Sequence, residues 1–446
     1  MTFGRQLPSL RVPVPGPRSR VFVDRLAAAE SPAFTTRRAR RAERAGAPMD
    51  PIVWRRAKGA NVEDSDGNVY VDLTAGCGVA ALGHAHPAVV EAAQTQLATL
   101  PHARGDLHPS EAKVELLEAL AARAPFPDAR VVLGLNGSDA IEVALKTAAL
   151  ATGRPGVLAF EGGYHGLAYG AVAACGFQPA FRAPFAAQLN PHVRFAPYPC
   201  AGDPVEPALA AVDEALADGR VGAVLYEPLQ GRGGVRVPAP GFLEAVRERA
   251  RAAGALTVAD EIFTGLGRCG VPFLSAPADA ATSVAPDLLC LGKARAGGLP
   301  VSACLGRAEV MAAWGDPTGA ALHTGTFYGH PPGCAAALAA LETMDREDVA
   351  GRARKVGDRF RARLAAVPGV AEVRGLGLMV GIVPAAPRAA LGVVAALLTR
   401  GYLTLPAGGA ADVVQLAPPL TIPEALLEGF VGTLSALLAA PVETRP

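Results

Sequence analysis

Between about residues 130 and 291 the chain alternates short apolar runs with stretches whose apolar positions recur at helical spacing, the signature of a parallel α/β sheet. The runs at 131–135, 157–160, 221–226, 256–259 and 287–291 read as strands. A helix is expected at 140–151, after the first of them. Residues 242–253 place Phe242, Leu243, Val246 and Ala250 on one helical face, with Gly254 as the stop. Past about residue 331 the pattern changes. Residues 346–367 and 388–400 read as helices, and 370–382 as strands around Gly375 and Gly377. Upstream, Asp66-Gly67-Asn68 marks a turn between Val62 and a strand at 69–73. The expected layout is an N-terminal arm (1–58, partly mobile), the first part of a small domain with a linker (59–105), a large domain (106–330) and a C-terminal small domain (331–446).

A chain of 446 residues with 50% hydrophobic and 19% charged positions suits two or three well-buried lobes and argues against disorder. A formal net charge of +1 gives no ground for a nucleic-acid or anionic-membrane partner. The seven cysteines are scattered, with no Cys-x-x-Cys, and read as small buried residues of a reducing cytoplasm. With neither a secretory leader pattern nor an apolar run of about 20 residues, the expectation is a soluble, cytoplasmic protein. The basic run from Arg37 to Arg44 reads as a solvated helical face or an arm laid across a subunit neighbour.

The chemistry is expected at the carboxyl ends of the strands, where open parallel sheets bind ligands. The strand at 256–259 delivers Asp260 and Glu261. The strand at 287–291 delivers Gly292-Lys293-Ala294, a lysine between small residues whose burial would make it a nucleophile and base. The strand at 131–135 delivers Asn136-Gly137-Ser138-Asp139 at a helix start, an anion cradle. The strand at 157–160 leads to Gly162-Gly163-Tyr164-His165-Gly166, which offers an aromatic plate. Phosphate cradle, plate, carboxylate and amine together are what pyridoxal 5′-phosphate requires.

Further motifs run in the same order: Asp-Gly-Asn-Val-Tyr-Val-Asp at 66–72, Gly-His-Ala-His-Pro at 83–87, Glu-Pro-Leu-Gln-Gly at 227–231, Asp-Glu-Ile-Phe-Thr-Gly-Leu-Gly-Arg at 260–268 and His-Thr-Gly-Thr-Phe at 323–327. With these, most of the chain resembles the class III aminotransferases of the fold type I pyridoxal-phosphate enzymes. The resemblance implies a large, mostly parallel sheet of seven-stranded type and a smaller α+β domain. It implies an amino transfer between a small amine or amino acid and a 2-oxo acid by a ping-pong mechanism, in a homodimer with shared active sites. By the same resemblance Lys293 carries the cofactor as a Schiff base and shuttles the proton. Asp260 pairs with the pyridinium nitrogen, Tyr164 stacks on the ring with His165 beside it, and Ile262 packs on the opposite face. Gly137 and Ser138 hold the phosphate, Thr326 reaches the phosphate of the neighbouring subunit, and Glu227 lies near the cofactor hydroxyl and the substrate.

Three positions depart from the family pattern. Phe263 stands where many members have a glutamine. Arg232 stands where many have a glutamate, and Gln415 where they have the arginine that grips the substrate carboxylate. The cation has thus changed places, as though the clamp were rebuilt from the other side. Cys77 occupies a position facing the substrate, where a small residue leaves room for a bulkier amine, a terminal amine included. An aminomutase, decarboxylase or epimerase would use the same cofactor. A non-catalytic relative would have no use for Lys293 beside Asp260. The Gly-x-Gly-x-x-Gly run at 265–270 precedes Val271-Pro272 rather than a helix and is discounted as a dinucleotide site. His84, His86, His323 and His330 read as structural, so no metal is expected.

Overall fold

A computed structural model describes residues 2–45, 51–276, 285–315, 319–385 and 390–439. A seven-stranded sheet crosses the molecule in the spatial order Arg130–Gly134, Ser302–Gly306, Leu288–Leu291, Leu256–Asp260, Val221–Tyr226, Gly156–Phe160, Val193–Ala196. Six strands run parallel, and Ser302–Gly306 runs antiparallel between its two neighbours. Alternate residues of each strand feed opposite faces. Leu158, Phe160, Val224 and Tyr226 pack with Phe242, Leu243, Val246 and Ala250 of helix Phe242–Ala252. Val157, Ala159, Ala223 and Leu225 pack with Ala140, Ile141, Val143 and Ala144 of helix Gly137–Thr152. Covering on both faces is why these strands read as unbroken apolar runs.

Two smaller sheets flank this layer. One, antiparallel, joins Val370–Leu376, Met379–Pro384, Val413–Leu416 and Leu405–Ala407. The other joins Trp54–Lys58, Asn61–Asp64 and Val69–Asp72 to Tyr402–Leu403, which pairs in parallel with Val71 and Asp72. The segment before residue 20 is fastened to this sheet. Asn61 Oδ1 accepts from the N–H groups of Gly4 and Gln6, Asn68 Oδ1 from those of Arg11 and Val12, and Asp66 from Arg18 and Ser19. The helix expected over 346–367 is Val349–Ala365, slightly shorter than its expected span. Pro331–Arg346 ends where it was to begin, and Asp348, with a left-handed φ of 42°, caps Val349–Ala365 through the Gly351 N–H. Of the helix expected over 388–400, residues 388 and 389 lie outside the described residues; Ala390–Leu398 is helical. No described helix is long and apolar enough to cross a membrane.

Candidate active site

Leu256–Asp260 is the central strand of the seven, and a cavity of about 240 Å³ opens beyond its carboxyl end. Asn136, Gly137, Ser138, Tyr164, His165, Gly166, Glu227, Arg232, Asp260, Ile262, Phe263 and Lys293 line it. Five strand ends therefore deliver their polar residues to one place, because parallel strands share a direction.

Asp260 is 4% exposed and its carboxylate is held at both oxygens. His165 Nδ1 donates to Oδ2 at 2.7 Å, and the Ile262 N–H to Oδ1 at 3.1 Å. Glu227 bridges two loops, its oxygens accepting from the Tyr164 N–H at 2.8 Å and the Gly231 N–H at 3.0 Å. Burial, reinforced by the Asp260 charge, pushes Glu227 up to about 7 against the opposing pull of His165 and those two N–H groups. Lys293 has a φ of 39°, a left-handed backbone uncommon for a side-chain-bearing residue and often found at functional sites. Its Nζ lies 4.5 Å from the Phe263 ring centroid. Desolvation lowers its pKa, although Asp260 and Glu227 act in the opposite direction. A neutral amine is thereby brought closer to physiological pH.

The start of helix Gly137–Thr152 is built by a capping box. Asn136 accepts from the Asp139 N–H at 3.2 Å, and Asp139 accepts from the Asn136 N–H at 3.2 Å. Gly137 and Ser138 thus sit at a positive helix end on the cavity wall. Close approach requires glycine nearby: a Cβ on Gly137 would fall 2.9 Å from Ile262 Cδ1, and one on Gly166 2.0 Å from Ser138 Oγ.

The family model described as aminotransferase class-III matches residues 42–438. The chain belongs to the class III aminotransferases. This aminotransferase is 40% identical over 395 residues to the acetylornithine aminotransferase of Mycolicibacterium smegmatis, covering 88% of this chain and 95% of that one. Among solved structures it is similar to an ornithine aminotransferase from Toxoplasma gondii, with TM-score 0.76 and 31% identity over 89% of this chain and 92% of that one. It is also similar to a pyridoxal-phosphate-bound amine transaminase from an uncultivated Pseudomonas species, with TM-score 0.79 and 30% identity over 87% and 95% of the two chains.

Of the residues given a site role in the sequence of this aminotransferase, nine line the cavity: Gly137, Ser138, Tyr164, His165, Glu227, Arg232, Asp260, Ile262 and Lys293; Phe263, one of the departures from the family pattern, lines it too. Cys77 lies within electrostatic reach of Lys293, on a turn where Gly76 and Cys77 both have positive φ. Gln415, buried, donates from Nε2 to the Gly231 carbonyl at 3.4 Å and so braces the residue before Arg232. Arg232 turns inward, its guanidinium carbon 5.4 Å from the ring centroids of both Tyr164 and Phe177. Thr326 is exposed and does not line this chain's cavity.

Sequence reasoning did not assign two supports. Glu261 is buried and accepts from the Leu274 and Ser275 N–H groups and from the hydroxyls of Ser275 and Thr264, fixing the loop that carries Ile262 and Phe263. Arg268 is buried and donates to the carbonyls of Leu378 and Pro418, tying that loop to the C-terminal sheet. Both stand in the 260–268 motif, so their type was visible and only their partners were not. The Gly265–Gly270 run forms successive turns, and His84 bonds Asp72 at 2.7 Å. Among the described residues no group of three His, Cys, Asp or Glu could hold a metal ion.

Proposed function

We propose that this aminotransferase carries pyridoxal 5′-phosphate on Lys293 and moves an amino group from a carboxylate-bearing primary amine to a 2-oxo acid in two half-reactions. The observation behind this is the convergence of Lys293, the doubly held Asp260 and the Gly137–Ser138 helix end on one cavity. The donor set suits the cofactor. Gly137 and Ser138 would take the phosphate, with Thr326 supplied by the partner subunit of a homodimer. Tyr164 and Ile262 would flank the ring, and Asp260 would hold a proton on its nitrogen. When bound, the cofactor supplies an electron sink for the bonds at the substrate's reacting carbon.

The remaining work falls to the chain. The Lys293 amine would attach the cofactor and afterwards take and return the substrate proton. His165 and the Ile262 N–H would keep the Asp260 carboxylate aimed at the ring nitrogen. Glu227 would hold the Tyr164 and Gly231 loops in register, while Phe263 presents an apolar wall that keeps water from the amine. Arg232 would grip a substrate carboxylate, braced through Gln415, and Cys77 would border the space for the amine chain. The names of the relatives, acetylornithine and ornithine aminotransferases, favour a donor with both a primary amine and a carboxylate. A cytoplasmic site of action is part of this reading.

The test is the visible absorption of the purified protein. A yellow band that bleaches with one amine and returns with a 2-oxo acid is expected, and Lys293→Ala should lack it. A colourless protein that takes up no added pyridoxal phosphate overturns the proposal.

A further inference from the structure

A second cavity, of about 440 Å³, shares no lining residue with the catalytic one. Thr2, Phe3, Gly4 and Arg5 form one wall of it, and they lie before the stretch 42–438 that matches the family model. The Ala60 N–H donates to the Gly4 carbonyl at 3.0 Å, and Asn61 Oδ1 accepts from the Gly4 N–H at 2.9 Å. Glycine permits this approach: a Cβ on Gly59 would fall 2.5 Å from the Gly4 carbonyl oxygen. The Arg56 guanidinium carbon lies 4.6 Å from the centroid of the Phe3 ring. The wall is fastened at each of its inner residues.

Arg5, Lys58, His84 and His86 line this cavity against a single lining carboxylate, Glu347. Glu347 has the Arg346 guanidinium beside it at 3.8 Å. Arg5 and Lys58 form no ion pair among the described residues. The His86 Nδ1 is buried without a hydrogen-bond partner among those residues. Phe3, Leu82 and Ile422 add an apolar side. Unpaired cations beside an apolar wall suit a small organic anion, a carboxylate or a phosphate monoester.

Two residues connect this cavity to the catalytic centre. His84 Nε2 donates to Asp72 Oδ2 at 2.7 Å. The buried Asp72 carboxylate also accepts from the N–H groups of Thr74 and Gly76, at 2.8 and 2.9 Å. Those bonds hold the turn 75–78, where Ala75, Gly76, Cys77 and Gly78 all have positive φ. Such a backbone persists only where its surroundings fix it. The turn presses on the reacting lysine: a Cβ on Gly78 would fall 2.5 Å from Phe263 Cε2 and 3.4 Å from Lys293 Cδ. A ligand drawn to the His84 ring changes the hold on Asp72, and with it the turn. We infer that the N-terminal cavity is a regulatory site for a small organic anion, whose occupancy passes through His84 and Asp72 to the turn beside Lys293. This goes beyond the transaminase reading, since the anion is neither substrate nor cofactor.

The test uses unreactive probes on the cofactor-loaded protein, whose own phosphate cradle is filled, with binding read by titration calorimetry. Phenylacetate and phenyl phosphate carry the two anionic groups, and 2-phenylacetamide is the neutral match. At least one anion should bind about tenfold or more tighter than the amide, and the tighter one names the group. That preference should survive Arg232→Ala, which removes the cation of the catalytic cavity, and vanish in Arg5→Ala/Lys58→Ala. With the anion bound, the amine concentration that half-bleaches the yellow band should shift by about fivefold or more. His84→Ala should abolish the shift while anion binding stays within about threefold, and His84→Gln, which restores a donor to Asp72, should recover it. Equal binding of all three probes to the parent protein overturns the inference, as does a preference lost in Arg232→Ala or kept in the double variant. Binding without a shift overturns it too. A protein that takes up no pyridoxal phosphate sinks the transaminase reading, while the comparison of phenylacetate with its amide still decides this one.

Discussion

Replacing His165 with alanine tests whether the Asp260 carboxylate works through its hydrogen bonds. His165 is 2% exposed and Asp260 4%, so water cannot replace the lost donor freely. The variant keeps the Ile262 N–H at 3.1 Å and loses the imidazole at 2.7 Å. A hydrogen bond to a buried charge contributes roughly 1.5–3 kcal/mol. If that stabilisation is felt mainly when the proton on the ring nitrogen matters most, the amine half-reaction slows about 10- to 150-fold. Rapid mixing of the yellow protein with its amine, followed by the decay of the band, measures this directly. His165→Asn places an amide donor near the position of Nδ1 and should recover part of the rate, whereas a purely space-filling role would not respond to a donor. Parental decay rates in His165→Ala, or an asparagine variant no faster than the alanine variant, would refute the reasoning.

Gly166→Ala sets a Cβ 2.0 Å from Ser138 Oγ on a backbone with φ of 112°, so pyridoxal-phosphate affinity in an absorbance titration should fall by at least about tenfold. Arg232→Ala should raise KM for a 2-oxo acid far more than for an amine without a carboxylate; equal effects on both would remove Arg232 from substrate recognition. Glu227 is raised to about 7 in the folded protein, so the unfolded chain releases this proton first as pH rises. The parent therefore loses stability relative to Glu227→Gln between about pH 4.5 and 7, by about 3 kcal/mol at most, with no further change above. Melting temperatures of both proteins across that window should diverge in favour of the glutamine variant, and a constant difference would contradict the assignment.

Much of the large sheet was legible because strands covered on both faces are apolar throughout. Residues 221–226 are the clearest case, matching the strand Val221–Tyr226 residue for residue. Ser302–Gly306 escaped because Ser302, Ala303 and Gly306 are small, and its antiparallel placement depends on neighbours more than 150 residues away in one case. Val193–Ala196, an edge strand, carries Arg194 and shows no apolar run. The cavity lining from Gly137 to Lys293 could be read because each strand end announces its own residue. The surroundings of Arg232 could not, since they come from Phe177, Gln415 and Gly408, far from it in the sequence. No local pattern encodes such a meeting. The run from Arg37 to Arg44 lies on helix Pro32–Ala45, none of whose residues is buried.

The parallel pairing of Tyr402–Leu403 with Val71 and Asp72 has a consequence for biosynthesis. During translation the strand Val69–Asp72 emerges more than 300 residues before its neighbour on that side. Through that interval the backbone of Val71 and Asp72 is an open edge, able to pair with any extended segment that meets it. Final closure of the N-terminal sheet is therefore a late, long-range event, with the slow kinetics that non-local pairing imposes. A nascent chain stalled before residue 403 would display this edge, and chaperone engagement should concentrate there.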